Sequence, residues 1–498
     1  MARLLCLAVV AAVGLPSGAC AGRRQTPAHA AAVVRAERLL EQGCYACLLE
    51  ALDALPPPAA RSDAIRLRVL MLLAARARQL ELRDDPDWLG AARAVARGTA
   101  PDEQLMLELA GLSVPALVRR GADPEAELAP ERRDELERQV RATLEPRAGA
   151  DPAAAFFIAH AECLGIVRGP ATIDHAPQSG APLVLYARAS CRPRDPDALA
   201  ALQLAQPRYL ELHWISAVAA FSGQALLAAE RELDLFEASF RQTPTSALLR
   251  GQILVALEEF EPAVAALDHV LAVWPGHPEA LLHRMRALGH LGDAVRGEAA
   301  ADRLVAVGTW YQGEAYFWRA WNRRALGRLD QAAADIETAK RVLYNAAVPK
   351  LAGFIAYERG DLALALAELT TSRERNDADC EVLFAIGQVH SRQNSWTEAL
   401  AAFSATASCA RAAQSAADAR LEEIAAAPLD AARRERMRRR TADARAAEHA
   451  REGLATFQAA ASAMRAGRAA DARPLAERAL GWERWAPGAR RLLESLPR

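Results

Sequence analysis

Gly251, Met285, Ala320, Gly353 and Gly387 stand 34, 35, 33 and 34 residues apart, and Ala263, Gly297, Ala332, Ala365 and Ala399 follow in step. Two mostly small positions that return together at this period mark stacked helix pairs. A lone helix pair cannot bury its apolar face. The stack is therefore the folding unit, and chain length says little about domain count. The expected class is all-α with essentially no β-sheet, built to present a long surface.

Composition agrees. The 498 residues are 52% hydrophobic but only 5% aromatic, so much of the apolar share is alanine, a strong helix former of little bulk. Runs that alternate β-branched and aromatic residues are absent. A net charge of −1 speaks against bulk electrostatic binding, and no nucleic acid is expected as a partner. Nearly all cations are arginine; Lys340 and Lys350 are the two lysines.

The first 19 residues read as a secretory signal: Arg3, then an apolar run from Leu4 to Leu15. That run falls short of the roughly 20 residues a bilayer needs. Ser17, Gly18 and Ala19 precede Cys20. This resembles a bacterial lipoprotein signal, although Ser17 stands where such signals usually carry leucine. The resemblance implies lipidation of Cys20. Ala21, in place of the aspartate of inner-membrane retention, implies the outer membrane. Cleavage after Ala21 is the rival reading. Either way the expected location is the periplasm or outer membrane, with membrane contact only through the N-terminal anchor.

Residues 20–30 read as a tether. Residues 31–206 read as an irregular helical region of degenerate repeats. It holds a hairpin over 31–56 that turns at Gly43 and Tyr45, and helices near 61–81, 87–98, 102–119, 130–145 and 151–167. A loop is expected over 168–182, and Asp195-Pro-Asp197 opens a further helix. The regular block spans 207–413. Residues 414–452 form long Ala/Arg-rich helices interrupted at Pro428. Residues 453–498 form a last hairpin turning at Gly467, with a capping helix over 487–496.

The unit over 380–413 carries Leu383, Ile386, Gly387 and His390, then Trp396, Ala399 and Phe403. Ala320, Gly327, Leu329, Ala332, Ile336 and Ala339 repeat the pattern, as do Gly353, Gly360, Leu362, Ala365 and Leu369, and Gly251, Phe260, Ala263, Leu267 and Pro275. These residues resemble the tetratricopeptide repeat. Thr406 departs from its consensus alanine, and the unit over 278–312 departs at Met285 and Gly297. The resemblance covers about half the chain and implies a right-handed helical solenoid. Close approach of the small residue on the first helix to the alanine on the second would explain the spacing.

The resemblance also implies a concave face lined by the first helix of each unit. It would hold Phe317, Trp321 and Arg324, then Lys350, Phe354 and Tyr357, then Phe384, Gln388 and Arg392. Aromatic and cationic groups together suit an extended peptide or protein partner. The asparagines of the carboxylate-gripping subtype are missing. Packing between neighbouring helices is the alternative use of these side chains.

Six cysteines follow Cys20, an even number in an exported chain. Cys380 with Cys409, and Cys163 with Cys191, are candidate disulfides. Cys44-Tyr-Ala-Cys47 has the spacing of a redox dithiol, but the βαβ context of such dithiols is not visible; a structural disulfide is the first reading, ahead of two inert thiols, a redox pair and half of a metal site. The Arg433–Arg440 run is a solvated helix face or a polyanion contact. Trp482 and Trp485 are a lid on the last hairpin or a partner patch. Motifs of metalloprotease, nucleophile-elbow and phosphate-loop type are absent. The expected function is a non-enzymatic interaction scaffold without a cofactor. A redox or metal protein using Cys44 and Cys47, and a structural envelope spacer, are the alternatives. Oligomeric state is not legible.

Overall fold

A computed structural model of the chain describes residues 27–56, 60–80, 82, 85–96, 100–112, 128–168, 180–191, 196–205, 209–308, 311–427 and 429–497. Among these every regular element is a helix. The signal segment, Cys20, Ala21 and Pro428 lie outside the described residues. The chain divides into two compact units, 1–280 and 281–498.

The first unit opens with α1 (Pro27–Gln42) and α2 (Tyr45–Ala54). Helix α1 starts within the stretch read as a tether, because proline is tolerated in a helix's first turn. Then come α3 (Ala60–Gln79), α4 (Trp88–Val95), α5 (Pro101–Gly111) and α6 (Pro130–Gln139). Helix α6 widens into a π turn over Val140–Leu144 and tightens over Glu145–Arg147. Pro146 explains the change, since it lacks an N–H and crowds the carbonyl four residues back. Next are α7 (Pro152–Cys163), α8 (Pro182–Cys191) and α9 (Pro196–Ala205). Helix α8 begins at the end of the expected loop and has no counterpart in the sequence-based expectation.

Two hairpins complete this unit: α10 (Leu212–Ser222) with α11 (Leu226–Ser239), and α12 (Pro244–Ala256) with α13 (Phe260–Val273). Thr243 and Ser246 cap α12 reciprocally, with Pro244 at its first turn.

The unit boundary falls within α14 (Pro278–Leu291). The second unit continues through α15 (Ala294–Val307), α16 (Gln312–Ala325), α17 (Leu329–Lys340), α18 (Ala347–Arg359), α19 (Leu362–Arg375) and α20 (Cys380–Arg392). Helix α21 (Trp396–Ala426) starts as the second helix of a repeat and runs on for 31 residues. Helix α22 (Ala431–Arg465) packs back along it, with Glu452 accepting from Arg411 and Gln414. Helix α22 is continuous through 452–453, so the last hairpin shares its first helix with the arm. Helices α23 (Ala469–Ala479) and α24 (Ala486–Ser495) close the unit.

The repeat contact differs from the expected glycine–alanine approach. A Cβ on Gly353 would lie 2.6 Å from Cγ of Leu369, and one on Gly387 would lie 2.7 Å from Phe403. The glycine therefore meets a large side chain one turn beyond the alanine. In the divergent unit the same two positions hold Met285 and Ala301, both fully buried. Bulk has changed sides, which keeps the contact filled. Gly297 has its own reason: a Cβ there would lie 2.7 Å from the buried Asn322 amide. Thr406 is tolerated because its hydroxyl donates to the Ala402 carbonyl at 2.9 Å.

Each hairpin turns through a residue of positive φ: Gln224, Glu258, Gly292, Gly327, Gly360 and Asn394. They stand 34, 34, 35, 33 and 34 apart, so the period reaches one hairpin earlier than the small residues disclose.

Candidate functional site

In the second unit, residues at 384, 388, 391 and 392 share one face of α20 by helical spacing. Phe384, Gln388, Ser391 and Arg392 line a cavity of about 210 Å³ together with Tyr357, Phe403 and Gln458. Phe403 is buried from α21 and packs its ring 5.4 Å from that of Phe384. Four of the nine expected groove residues thus meet at one place. Phe403 stood out in sequence as a repeat position, not as a groove residue. Gln458 lies on α22, beyond the block whose periodicity defined the groove, and had no sequence signal.

The other five do different work. Phe317 and Phe354 are buried. Trp321 is half-buried and packs on the cluster around Phe317 and Ala320. Arg324 donates to Glu358 at 2.6 Å and lies over Phe354. Lys350 pairs with Asp379 at 2.8 Å and Glu381 at 2.7 Å. Burial opposes the Lys350 charge, but those two carboxylates outweigh it and raise its pKa. The exposed Arg392 has its guanidinium 4.0 Å from the Tyr357 ring centroid and donates to the Tyr357 carbonyl at 3.3 Å. Among the described residues it has no carboxylate partner.

A second ionic cluster, absent from the sequence-based expectation, joins α15, α16 and α17. Arg319 bonds Asp335 at 2.7 Å and Asp302 at 2.9 Å, and Arg323 bonds Glu298 and Asp335. It is internally neutralised, which marks it as a clamp between neighbouring helices.

In the first unit, Arg76 is fully buried and pairs with buried Glu211 at 2.6 Å. Its guanidinium sits 3.8 Å from the Tyr186 ring centroid and donates to the Gly43 carbonyl. Burial opposes its charge, but Tyr186, Glu211 and Tyr209 outweigh that and raise its pKa. Nearby, burial among Phe156 and Phe157 lowers His160 to about 4, so it is neutral at pH 7.

Cys44 and Cys47 are bonded to each other, with Cys44 as the N-cap of α2. In that state neither is available as a thiolate metal ligand. Among the described residues no group of three or more His, Cys, Asp or Glu is arranged for a metal. Cys380 and Cys409 are bonded, with Cα atoms 5.5 Å apart. Cys163 ends α7, and the pairing with Cys191 falls on a side chain outside the described ones. In the arginine run, Arg434 donates to the Leu429 carbonyl and Arg438 to Glu435. Trp482 packs on Gly453 and Trp485 stacks on Phe457, closing the last hairpin. Among the described residues no helix is long and apolar enough to cross a membrane.

No family model matches the sequence, and no curated protein matches it. Among solved structures the chain is similar to a tetratricopeptide repeat protein from Parabacteroides merdae, at 14% identity over 52% of this chain and 92% of that one, with a TM-score of 0.35. It is also similar to the APC/C hetero-tetramer Cut9-Hcn1, at 11% identity over 93% and 95%, with a TM-score of 0.43. A human IFIT1 dimer with m7Gppp-AAAA aligns at 15% identity over 61% and 68%, with a TM-score of 0.35. At scores this low the repeat assignment rests on the chain's own spacing and helix pairs.

Proposed function

We propose that the chain is a non-enzymatic scaffold that holds a peptide or protein partner at the Tyr357–Phe384–Arg392 cavity. The partner offers an apolar or aromatic side chain and a carboxylate. One observation carries this reading. Of the three cations on the expected groove, Arg324 and Lys350 are neutralised by neighbouring acids, while Arg392, at the cavity, has no acidic partner among the described residues. A charge-assisted contact there discriminates for an acidic group. The net charge of −1 supports a protein partner over nucleic acid. The N-terminal pattern supports export to a bacterial envelope, with a lipid anchor at Cys20, in the periplasm or at the outer membrane.

The test is an array of immobilised peptides ending in Phe, Trp or Leu, each made as free acid and as amide. Free acids bind the full chain. Arg392→Gln weakens them about tenfold, the range of one charge-assisted hydrogen bond, while Arg324→Gln has little effect. Equal binding of acids and amides, unchanged by Arg392→Gln, defeats the assignment. Burial of Phe317 and Phe354 favours the spacer alternative, and an array with no bound peptide would leave that reading standing.

A further inference from the structure

We infer that the Cys44–Cys47 disulfide is an exchangeable oxidant for a dithiol, with Cys47 as the sulfur attacked and Cys44 as the leaving thiolate. The two disulfides provide the contrast. Cys380 and Cys409 are 29 residues apart in sequence, Cys44 and Cys47 only 3. The chain entropy removed by a cross-link grows with the logarithm of the loop it closes, so the short one removes roughly half as much. Its contribution to folding is correspondingly small.

Its placement suits exchange. Cys44 is the N-cap of α2, and its sulfur accepts the Cys47 N–H at 3.0 Å. A thiolate formed there keeps that donor and gains the favourable end of the helix dipole. Cys44 is buried, at 5% exposure, whereas Cys47 is partly exposed. An incoming thiolate therefore reaches Cys47.

The backbone around the pair is fixed from inside. The Gly43 carbonyl accepts from Arg76, and the Tyr45 N–H donates to Glu211 at 2.6 Å. Gly43 itself has φ +66°, and a Cβ there would meet Leu183 at 2.6 Å. None of these restraints passes through sulfur, so the turn keeps its shape when the disulfide opens.

A client thiolate attacks Sγ of Cys47. The Cys44–Cys47 bond breaks, a client–Cys47 mixed disulfide forms, and Cys44 leaves as thiolate. The client's second thiol loses its proton to solvent and attacks the client sulfur of the mixed disulfide. Cys47 is released and takes up a proton from solvent. The client ends as a disulfide and the chain as a dithiol, with two electrons transferred. A stabilised leaving thiolate speeds the first step and makes the disulfide the stronger oxidant.

The full chain, equilibrated in graded mixtures of reduced and oxidised glutathione, acid-quenched, alkylated and mapped by mass spectrometry, tests this. The expected result is an equilibrium constant for reduction of Cys44–Cys47 at least about tenfold larger than that for Cys380–Cys409, equivalent to about 30 mV. Reduction of both pairs over one range of mixtures, or of Cys380–Cys409 first, overturns the proposal. The attacked sulfur is tested separately with oxidised glutathione. With each rate divided by the thiolate fraction read from its pH dependence, so that access is what is compared, Cys44→Ser should form the Cys47 mixed disulfide at least about tenfold faster than Cys47→Ser forms the one at Cys44. Equal rates would overturn the assignment of Cys47. The wild-type experiment needs no variant to fold, and its outcome does not depend on partner binding at Arg392.

Discussion

The helices of residues 27–222 and those of residues 281–410 are held together in opposite ways. The second stretch reuses one contact: a small residue on the first helix faces a large one sixteen positions later, at Gly353 with Leu369 and Gly387 with Phe403. Where Met285 replaces the small residue, Ala301 replaces the large one. The first stretch relies on contacts made once. Arg76 reaches Glu211 across 135 positions and Gly43 across 33. A repeated contact can drift, because each copy needs only its own compensation. A single buried ion pair has no spare copy.

The sharpest way to break that comparison is Arg76→Met. It strands the buried Glu211 carboxylate and should cost about 3–5 kcal/mol in urea unfolding, with most of it recovered in Arg76→Met/Glu211→Leu. Arg323→Met, which leaves Asp335 and Glu298 still held by Arg319 and Arg328, should cost clearly less. Equal losses would remove the distinction. Next in size is Gly353→Met, which overpacks against Leu369 and should cost about 1–3 kcal/mol. Adding Leu369→Ala should restore most of it if the Met285–Ala301 arrangement is a true exchange. The smallest effect is a gain. Gln224→Gly relieves a left-handed residue and should stabilise by about 1 kcal/mol, and Asn394→Gly by less, because asparagine tolerates that conformation. Thermal melts of both variants check the order.

This contrast also explains how much could be read from sequence. Periodic contacts leave periodic residues, so the helix pairs from Gly251 to Phe403 were legible. The Arg76–Glu211 pair leaves no local mark, because an arginine inside α3 looks like any surface arginine until α3 is packed. The turns at Gln224 and Glu258 escaped because side chains that usually avoid positive φ occupy them. The π turn before Pro146 and the short helix α8 escaped for want of repetition. For the cavity, Tyr357, Phe384, Gln388 and Arg392 were reachable from the repeat register. Gln458 was not, since its helix enters the site from outside the register. Phe317 and Phe354 were apolar enough for either use, and the structure spends them on packing.

The long helix α21 has a mechanical consequence. Its 31 residues measure about 46 Å at 1.5 Å per residue, and about 25 Å of that lies beyond Cys409. Helix α22 doubles back along it, so the pair forms a stiff two-stranded lever. The Cys380–Cys409 bond fastens this lever at its root to the opening turn of α20. Torque applied near residues 427–430 is therefore carried by a covalent fulcrum next to the helix that supplies Phe384 and Arg392. A load at the tip would reach the cavity wall without first having to shear the packing between helices.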